Sequence, residues 1–408
     1  MNDRVVEPIN RPDLTGQRGV SIIELMIGMT MGLLISIALV KSFTGNEVFN
    51  RAVTGRADAQ QAGALSSWRL ARELRLAGSA LGQGPSLWGC PLIVTKDDTA
   101  LLPRDTEWPA PFDALPTTLN LVPFAINAGA GFNGSDQIIM MAGSPGANVV
   151  PTPVNIVSAT QLDLNTTAGF EAGDILLVND ASAAGSCYLG QIDDTFVQSA
   201  AGLAAPSQIP TTASGAPFNG PDGFTGIQTS TPNGDFALLN LGSTPLLQMI
   251  GLDSNNQLMT LDPLQIYTDA TPLAIAQNVV QLKALYGVDD GSGGGELNDN
   301  IVDAWVSPTG AWSFANMTTP GGAMLRVKAV RIAMLIRSTV PSGSPGPSSR
   351  TLFGDLSSDL QVVETIDASL RHFAYEVFDI TIPLPNQVAA LCSQHRRAAG
   401  VPHPDGCT

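Results

Sequence analysis

Between Val20 and Val40 the chain runs for twenty-one residues with a single charge, Glu24, and Lys41 closes the run. Wound as a helix at about 1.5 Å per residue, this stretch is roughly 30 Å long, the thickness of a bilayer's hydrocarbon core. It reads as a membrane span placed near the N-terminus. A carboxylate inside such a span costs on the order of 2.5–3.5 kcal/mol at its centre and less near its end. Something must compensate Glu24, which makes it the first candidate functional residue.

The segment ahead of the run, Met1–Gly19, is polar, holds Pro8, Pro12 and Gly16, and has no periodicity that predicts a fold. Its three arginines (Arg4, Arg11, Arg18) balance Asp3, Glu7 and Asp13, so the whole net charge of −16 belongs to the rest of the chain. A secretory signal peptide carries its small-residue cleavage site after the apolar run. Lys41-Ser42-Phe43-Thr44-Gly45-Asn46 is a poor site of that kind, whereas Gly19 stands before the run. A cut after Gly19 removes the leader and leaves the apolar helix on the mature chain. The excess of 36 acidic over 20 basic residues argues against nonspecific nucleic-acid binding, which depends on neutralising phosphates. It suits a soluble exported body.

Beyond the span the pattern stays helical over Asn46–Ala77. Leu70, Leu74 and Ala77 recur at helical spacing, and Arg69 and Glu73 form an i,i+4 pair. Gly45, Gly55 and Gly63 each weaken a helix by roughly 1 kcal/mol relative to Ala, so Val20–Ala77 is expected as one interrupted helix, half in the membrane and half outside. Gly78, Gly82 and Pro85 are stop signals. Arg69, Arg72 and Arg75 form a basic cluster, read as a solvated helix face rather than a nucleic-acid site. From Leu81 on, short apolar runs alternate with Gly, Pro, Asn and Ser clusters, which predicts a β-rich body. Expected strands are Gln137–Met141, Ile156–Leu164, Asp174–Val178, Cys187–Ile192, Phe236–Leu241, Leu246–Leu252, Gln257–Leu261, Val279–Val288, Met324–Arg337 and His372–Ile382. Ser254-Asn255-Asn256 reads as a hairpin turn. Val330–Ile336 has little alternation and is expected as a central strand covered on both faces. Gly143–Val150, Ala200–Gly226 and Pro341–Ser349 are expected loops.

Catalytic machinery is not legible in the chain. Its three histidines (His372, His395, His403) lie in the last forty residues, and the sequence holds no nucleophile elbow, P-loop or His-Glu-x-x-His. Gly291–Gly295 lacks a following Lys-Ser/Thr and opens no helical pattern, so it is no phosphate cradle. The expectation is a protein that is not an enzyme and needs no cofactor. The scattered tryptophans (Trp68, Trp88, Trp108, Trp305, Trp312) read as core or edge packing. Four cysteines (Cys90, Cys187, Cys392, Cys407) beyond a membrane segment suit disulfides in an oxidising compartment. Three pairings are possible. Proximity favours Cys392–Cys407, a loop of about 15 residues worth about 3 kcal/mol, and leaves Cys90–Cys187. Cys392, His395, His403 and Cys407 also have spacings that suit tetrahedral Zn²⁺, but in an exported body the disulfide is the preferred reading. Asp289, Asp290, Glu296 and Asp299, with Asp303 beyond, surround a Gly-rich turn that suits Ca²⁺. Glycine replaces most of the alternating carboxylates of a calcium loop, so a plain hairpin is preferred.

Gly19-Val20-Ser21-Ile22-Ile23-Glu24-Leu25-Met26 resembles the prepilin processing motif of type IV pilins and type II secretion pseudopilins, usually Gly-Phe-(Ser/Thr)-Leu-Ile-Glu-Leu. Gly19 matches the residue before the cut. Val20, in place of the usual Phe, matches the residue that becomes the methylated N-terminus. Glu24 matches the glutamate at the fifth mature position. In the body, Arg75-Leu76-Ala77-Gly78 with Cys90 beyond, Tyr286-Gly287-Val288-Asp289 and Val330–Ser338 resemble the minor pilins called PilW-like. Arg371, Phe373, Ile382, Leu384 and Asn386 echo their C-terminal pattern, while Tyr375-Glu376-Val377 departs from it. Residues from about 95 to 270 match no specific pattern.

The resemblance implies an α+β fold: a long N-terminal pilin-type helix, its first half membrane-embedded, packed on a large β-rich, mainly antiparallel globular head. The expected division is a leader (1–19), a transmembrane or filament-core helix (20–43) and an exported amphipathic helix (44–80). A β-rich elaborated region (81–275), a pilin-like core sheet (276–385) and a disulfide-closed tail (386–408) follow. The implied function is that of a minor pilin that primes or caps a type IV pilus. Its expected location is an inner membrane with the body in the periplasm, and then the pilus, at or near the tip. Implied partners are the prepilin peptidase/methylase, other minor and major pilins, the inner-membrane assembly platform and, before assembly, membrane lipid; no nucleic acid is expected. A type II secretion pseudopilin and a membrane-anchored periplasmic adhesive or binding module share the N-terminal features and are the alternatives.

Overall fold

The computed structural model describes residues 19, 21–82, 84–144, 150–158, 160–180, 185–198, 207–212, 216–219, 236–264, 271–297, 299–320, 323–341 and 345–388. The leader before Gly19, Val20, the tail beyond residue 388 and parts of the three expected loops lie outside the described residues.

One helix, α1 (Ile22–Leu74), runs unbroken for 53 residues, a length of about 80 Å. The expected interruption is absent, and the glycines explain why. A Cβ on Gly63 would lie 1.9 Å from the Phe378 ring, and one on Gly55 would lie 3.1 Å from the Val340 carbonyl oxygen. Both glycines sit where the helix presses on the head, so their weak helix propensity is offset by close packing. The buried positions Gly55, Ala59, Gly63, Ser66, Ser67, Leu70 and Leu74 recur mostly at three- or four-residue intervals and form one stripe. After α1, Gly78 takes φ 77°. Its amide donates to the Met141 carbonyl at 2.8 Å, turning the chain into the head.

Nineteen strands follow among the described residues: β1 (Leu92–Lys96), β2 (Thr99–Leu102), β3 (Phe124–Asn127), β4 (Gln137–Ala142), β5 (Thr152–Val157), β6 (Gln161–Leu164), β7 (Ile175–Asp180), β8 (Cys187–Gln191), β9 (Ser207–Pro210), β10 (Phe236–Gly242), β11 (Leu246–Leu252), β12 (Gln257–Leu261), β13 (Leu273–Gln277), β14 (Val279–Val288), β15 (Ala304–Val306), β16 (Val327–Pro341), β17 (Ser349–Leu352), β18 (Val362–Thr365) and β19 (Phe373–Pro383). They form an eight-stranded sheet (β2-β1-β8-β7-β10-β5-β6-β9), a five-stranded sheet (β13-β12-β11-β4-β3), a four-stranded sheet (β15-β14-β16-β19) and the hairpin β17-β18. Only β1 and β8 pair in parallel; the other pairs are antiparallel. The architecture is α+β: a long apolar N-terminal helix on a large, mainly antiparallel β-rich domain.

Alternation places two cores on opposite faces of the five-stranded sheet. Ile138 and Met140 of β4 join Leu70 and Leu74 of α1 and Val330 and Ile332 of β16 in one core. Ile139 and Met141 point the other way, to Leu177 of β7 and Leu92 of β1. The eight-stranded sheet is likewise two-sided, with Leu176 and Val178 in a third core. Strand β16 lies between β14 and β19. Its Ile332, Met334 and Ile336 face α1, while Ala333 and Leu335 meet Phe353 and Tyr375 on the outer face. Val330–Ile336 is thus covered on both faces, as its continuous apolar pattern predicts.

Two strand expectations change. Ile156–Leu164 is a hairpin rather than one strand: Ser158 Oγ donates to the Gln161 carbonyl at 3.0 Å, and Val154 pairs with Leu164 across the turn. Met324–Arg337 starts later and ends later than expected. Ala323–Arg326 forms a 3-10 turn, and β16 continues to Pro341 against β19.

Candidate functional site: a protruding helix and its seat on the head

The apolar run becomes the exposed half of α1. Its window of highest hydropathy is wholly unburied, with Ile22 79% and Phe49 67% exposed. A helix apolar all round is stable only in apolar surroundings, and this one is long and apolar enough to cross a membrane. Gly28, Gly32 and Gly45 have open space around them. Glu24 lies exposed in the first turn, where a carboxylate meets the positive end of the helix dipole. Gly19 is exposed just ahead of the helix. Its expected neighbour across the cut, Val20, lies outside the described residues.

The second half of α1 is seated by small residues and by polar ties along its flanks. Arg56 pairs with Glu376 at 2.8 Å, and Thr339 Oγ1 donates to Asp58 Oδ2 at 3.3 Å. Gln248 Nε2 donates to Glu73 Oε2 at 3.0 Å. Asn386 Nδ2 donates to the Ala77 carbonyl at 3.0 Å, capping a backbone group at the exit from the helix. Arg56 is largely exposed, so its pair contributes at most about 1 kcal/mol, and apolar burial at Ala59, Leu70 and Leu74 carries the dock. The basic cluster is spread over separate local contacts. Arg69 pairs with Glu73 at 3.0 Å, Arg72 stacks 5.7 Å from the centre of the exposed Trp68 ring, and Arg75 caps the helix. Trp88 and Trp108 are buried in the head.

Cys90 and Cys187 form a disulfide, with Cα atoms 5.7 Å apart. Both are buried in the core between the eight- and five-stranded sheets. Cys187 begins β8, which pairs with β1, and Cys90 lies just before β1. Cys392 and Cys407, with the His395 and His403 of the zinc reading, lie outside the described residues.

In the Gly-rich turn the carboxylates face backbone amides. Asp303 Oδ2 accepts from the Asp290 and Gly291 amides at 3.0 and 2.7 Å. Asp289 accepts from Asn300 N at 2.8 Å, Asp290 from Ser292 N at 3.0 Å, and Asp299 from Ile301 N at 2.8 Å. Gly295 lies close under Asp303, where a Cβ would come within 1.7 Å of Oδ1 and displace that carboxylate. Glu296 is exposed. Among the described residues no group of three or more His, Cys, Asp or Glu side chains is arranged to hold a metal ion. A buried cation of the protein's own stands beside this loop. Lys328 Nζ donates to the Leu325 carbonyl at 2.9 Å. Burial lowers its pKa to about 8, against the opposing pull of Asp289 and Asp299.

Several residues that join the sheets carry no motif. Tyr286 is fully buried edge-on to Phe124, ring centres 6.0 Å apart, and its hydroxyl accepts from Ile126 N at 2.7 Å. Asp136 accepts from Gly129 N at 2.8 Å, Ala284 N at 2.9 Å and Lys283 Nζ at 3.1 Å, joining the loop before β4 to β14. Burial raises the Asp136 pKa, and Lys283 and the amides oppose the shift. One signal for the helix seat was readable: small residues at 55, 59 and 63, four apart, are the pattern that lets a helix approach another surface closely.

These features define a class: a single apolar helix, exposed over half its length, carrying a β-rich head by its other half. Residues 248–386 match the family described as Type IV Pilus-assembly protein W. Over roughly that third of the chain, which includes β11–β19 and Asn386, the protein is PilW-like, and it has a type IV pilus assembly-related role. The family and the apolar N-terminal helix fit a membrane-anchored protein. Neither a curated protein nor a solved structure matches the chain.

Proposed function

We propose that the protein is a minor pilin that primes or caps a type IV pilus. The observation that carries this reading is α1 itself, one unbroken helix whose outer stretch to Val40 carries a single charge, Glu24, while its inner half is fixed to a PilW-like head. In the proposed sequence the leader directs insertion with the head on the far side of the inner membrane. Prepilin peptidase cuts after Gly19, and the new Val20 amine is methylated. The apolar half then leaves the bilayer and packs with the helices of other pilins. There Glu24 faces the N-terminal amine of a neighbouring subunit. In surroundings of low dielectric an unpaired carboxylate is strongly penalised, so the pair sets axial register. The bulk of the head suits a tip position better than a repeated lattice.

Two measurements test the reading. Mass spectrometry of the mature chain is expected to begin at Val20, and Gly19→Leu to retain the leader; normal processing of that variant contradicts the cut site. Deleting the gene is expected to abolish pili. Loss of secreted enzymes with pili intact would favour the pseudopilin reading instead.

A further inference from the structure

Where α1 leaves the head, helix and head face each other across a cleft of about 630 Å³. Phe49 and Val53 supply one apolar wall, and Pro347, Phe373 and Ala374 belong to the opposite wall. Although the chain carries a net charge of −16, the lining holds two arginines, Arg56 and Arg350, and no carboxylate. Arg56 is already paired with Glu376. Arg350 is different: its Nε is buried with no hydrogen-bond partner among the described residues. A desolvated guanidinium nitrogen left unpaired is costly and marks a place where an anion is favourable.

The cleft also has a definite position along the helix. Phe49 lies six residues beyond Phe43, about 9 Å further along the axis. The headgroup layer adds only about 5–7 Å to each side of the hydrocarbon core, so the mouth of the cleft opens at or just above it. With about 3.6 residues per turn, Gly45, Ser42, Ala38 and Ile35 continue the cleft-facing stripe of Phe49 and Arg56 down into the span.

We propose that, while Ile22–Phe43 spans the bilayer, the cleft holds an anionic phospholipid of the leaflet on the head's side, with its phosphate against Arg350 and an acyl chain running down past Val53 and Phe49 toward Ala38 and Ile35. The orientation is that of an ordinary lipid, headgroup outward and chain inward. The lipid sets a phosphate against the Arg350 guanidinium and covers the apolar wall. It also seats the head on the membrane surface, and departure of the helix from the bilayer strips it away. The proposal rests on the membrane-spanning reading of Ile22–Phe43 and adds to it a selective lipid site.

The full chain is placed in nanodiscs made of equal parts phosphatidylglycerol and phosphatidylcholine, then released for native mass spectrometry. The expected result is a retained phosphatidylglycerol adduct in clear excess over phosphatidylcholine. Arg350→Gln is expected to lower that adduct about tenfold, as loss of one charge-assisted contact predicts, and Arg350→Lys to restore part of it. An intact Cys90–Cys187 disulfide and unchanged circular dichroism show that the variants are folded. Equal retention of the two lipids, or an unchanged adduct in Arg350→Gln, overturns the proposal. So does a second chain crosslinked into the cleft through photoreactive residues at positions 49 and 53. Failure of the chain to enter the nanodisc is a separate result, which overturns the membrane-spanning reading and the proposal together.

Discussion

The two halves of α1 share one backbone and meet opposite surroundings. From Ile22 to Val53 nearly every side chain is exposed, and most of them are apolar. From Gly55 to Leu74 a narrow stripe is buried, and the other faces carry Arg56, Asp58, Arg69, Arg72 and Glu73. Glycine shows what this difference means. Gly28 and Gly32 touch nothing, whereas Gly63 lies against Phe378. In the first half glycine costs helix stability with no packing return inside this chain. In the second it is what allows the helix to lie on β19. The inner half therefore completes the fold of one molecule, and the outer half is built for an apolar phase or for other molecules.

This contrast can be broken or sharpened by substitution. Cys90→Ser opens a disulfide that spans 97 residues in the core between two sheets. It is expected to cost the head about 2–5 kcal/mol, measured by denaturant unfolding of the full chain in detergent, while the exposed half keeps its helical circular dichroism. Parallel loss of both would show that the halves are not independent. Gly63→Ala is expected to destabilise the head by about 1–3 kcal/mol, because the Phe378 ring must move. No change in the unfolding midpoint would mean that the helix seat is looser than the 1.9 Å approach implies.

A pH scan isolates the head in another way. Burial raises Asp262 from 3.8 to about 6. Between these values the folded chain binds more protons than the unfolded one, so this group makes stability fall as pH rises from about 4 to 6. Asp262→Asn is expected to remove a swing of about 2 kcal/mol across that window; an identical pH profile in the variant would show that the carboxylate is hydrated in both states. The smallest effect belongs to the outer half. Gly28→Ala or Gly32→Ala is expected to change head stability by nothing measurable and to favour the helix by less than about 1 kcal/mol, read as helical content in detergent. The opposite signs of one substitution in the two halves are the sharpest form of the contrast.

The same two halves show what was readable from the residues. The span, its single carboxylate and the helix beyond it follow from composition and spacing. So do the long strands β14, β16 and β19, whose apolar runs are long enough to identify. Continuity of α1 was not readable, because the ring that compensates Gly63 comes from Phe378, more than 300 residues away in sequence. The split of Ile156–Leu164 into two strands was hidden because both arms of the hairpin carry apolar residues on either side of Ser158. The eight-stranded sheet is assembled from strands distant in the chain, with β1 beside β8 and β10 between β7 and β5. Local patterns identify its strands and leave their order open. Asp136, Tyr286 and Arg350 belong to no motif, and only tertiary contact reveals their roles.

The central claim is that the outer half of α1 is a packing surface for other pilins and that Glu24 sets its register. The most direct test is to replace the chromosomal copy with Glu24→Ala and to quantify surface pili beside membrane fractions. The account predicts a chain that is processed, membrane-bound and folded, with the Cys90–Cys187 disulfide intact, in cells that assemble few or no pili. Normal piliation with the variant present in the filaments would contradict it.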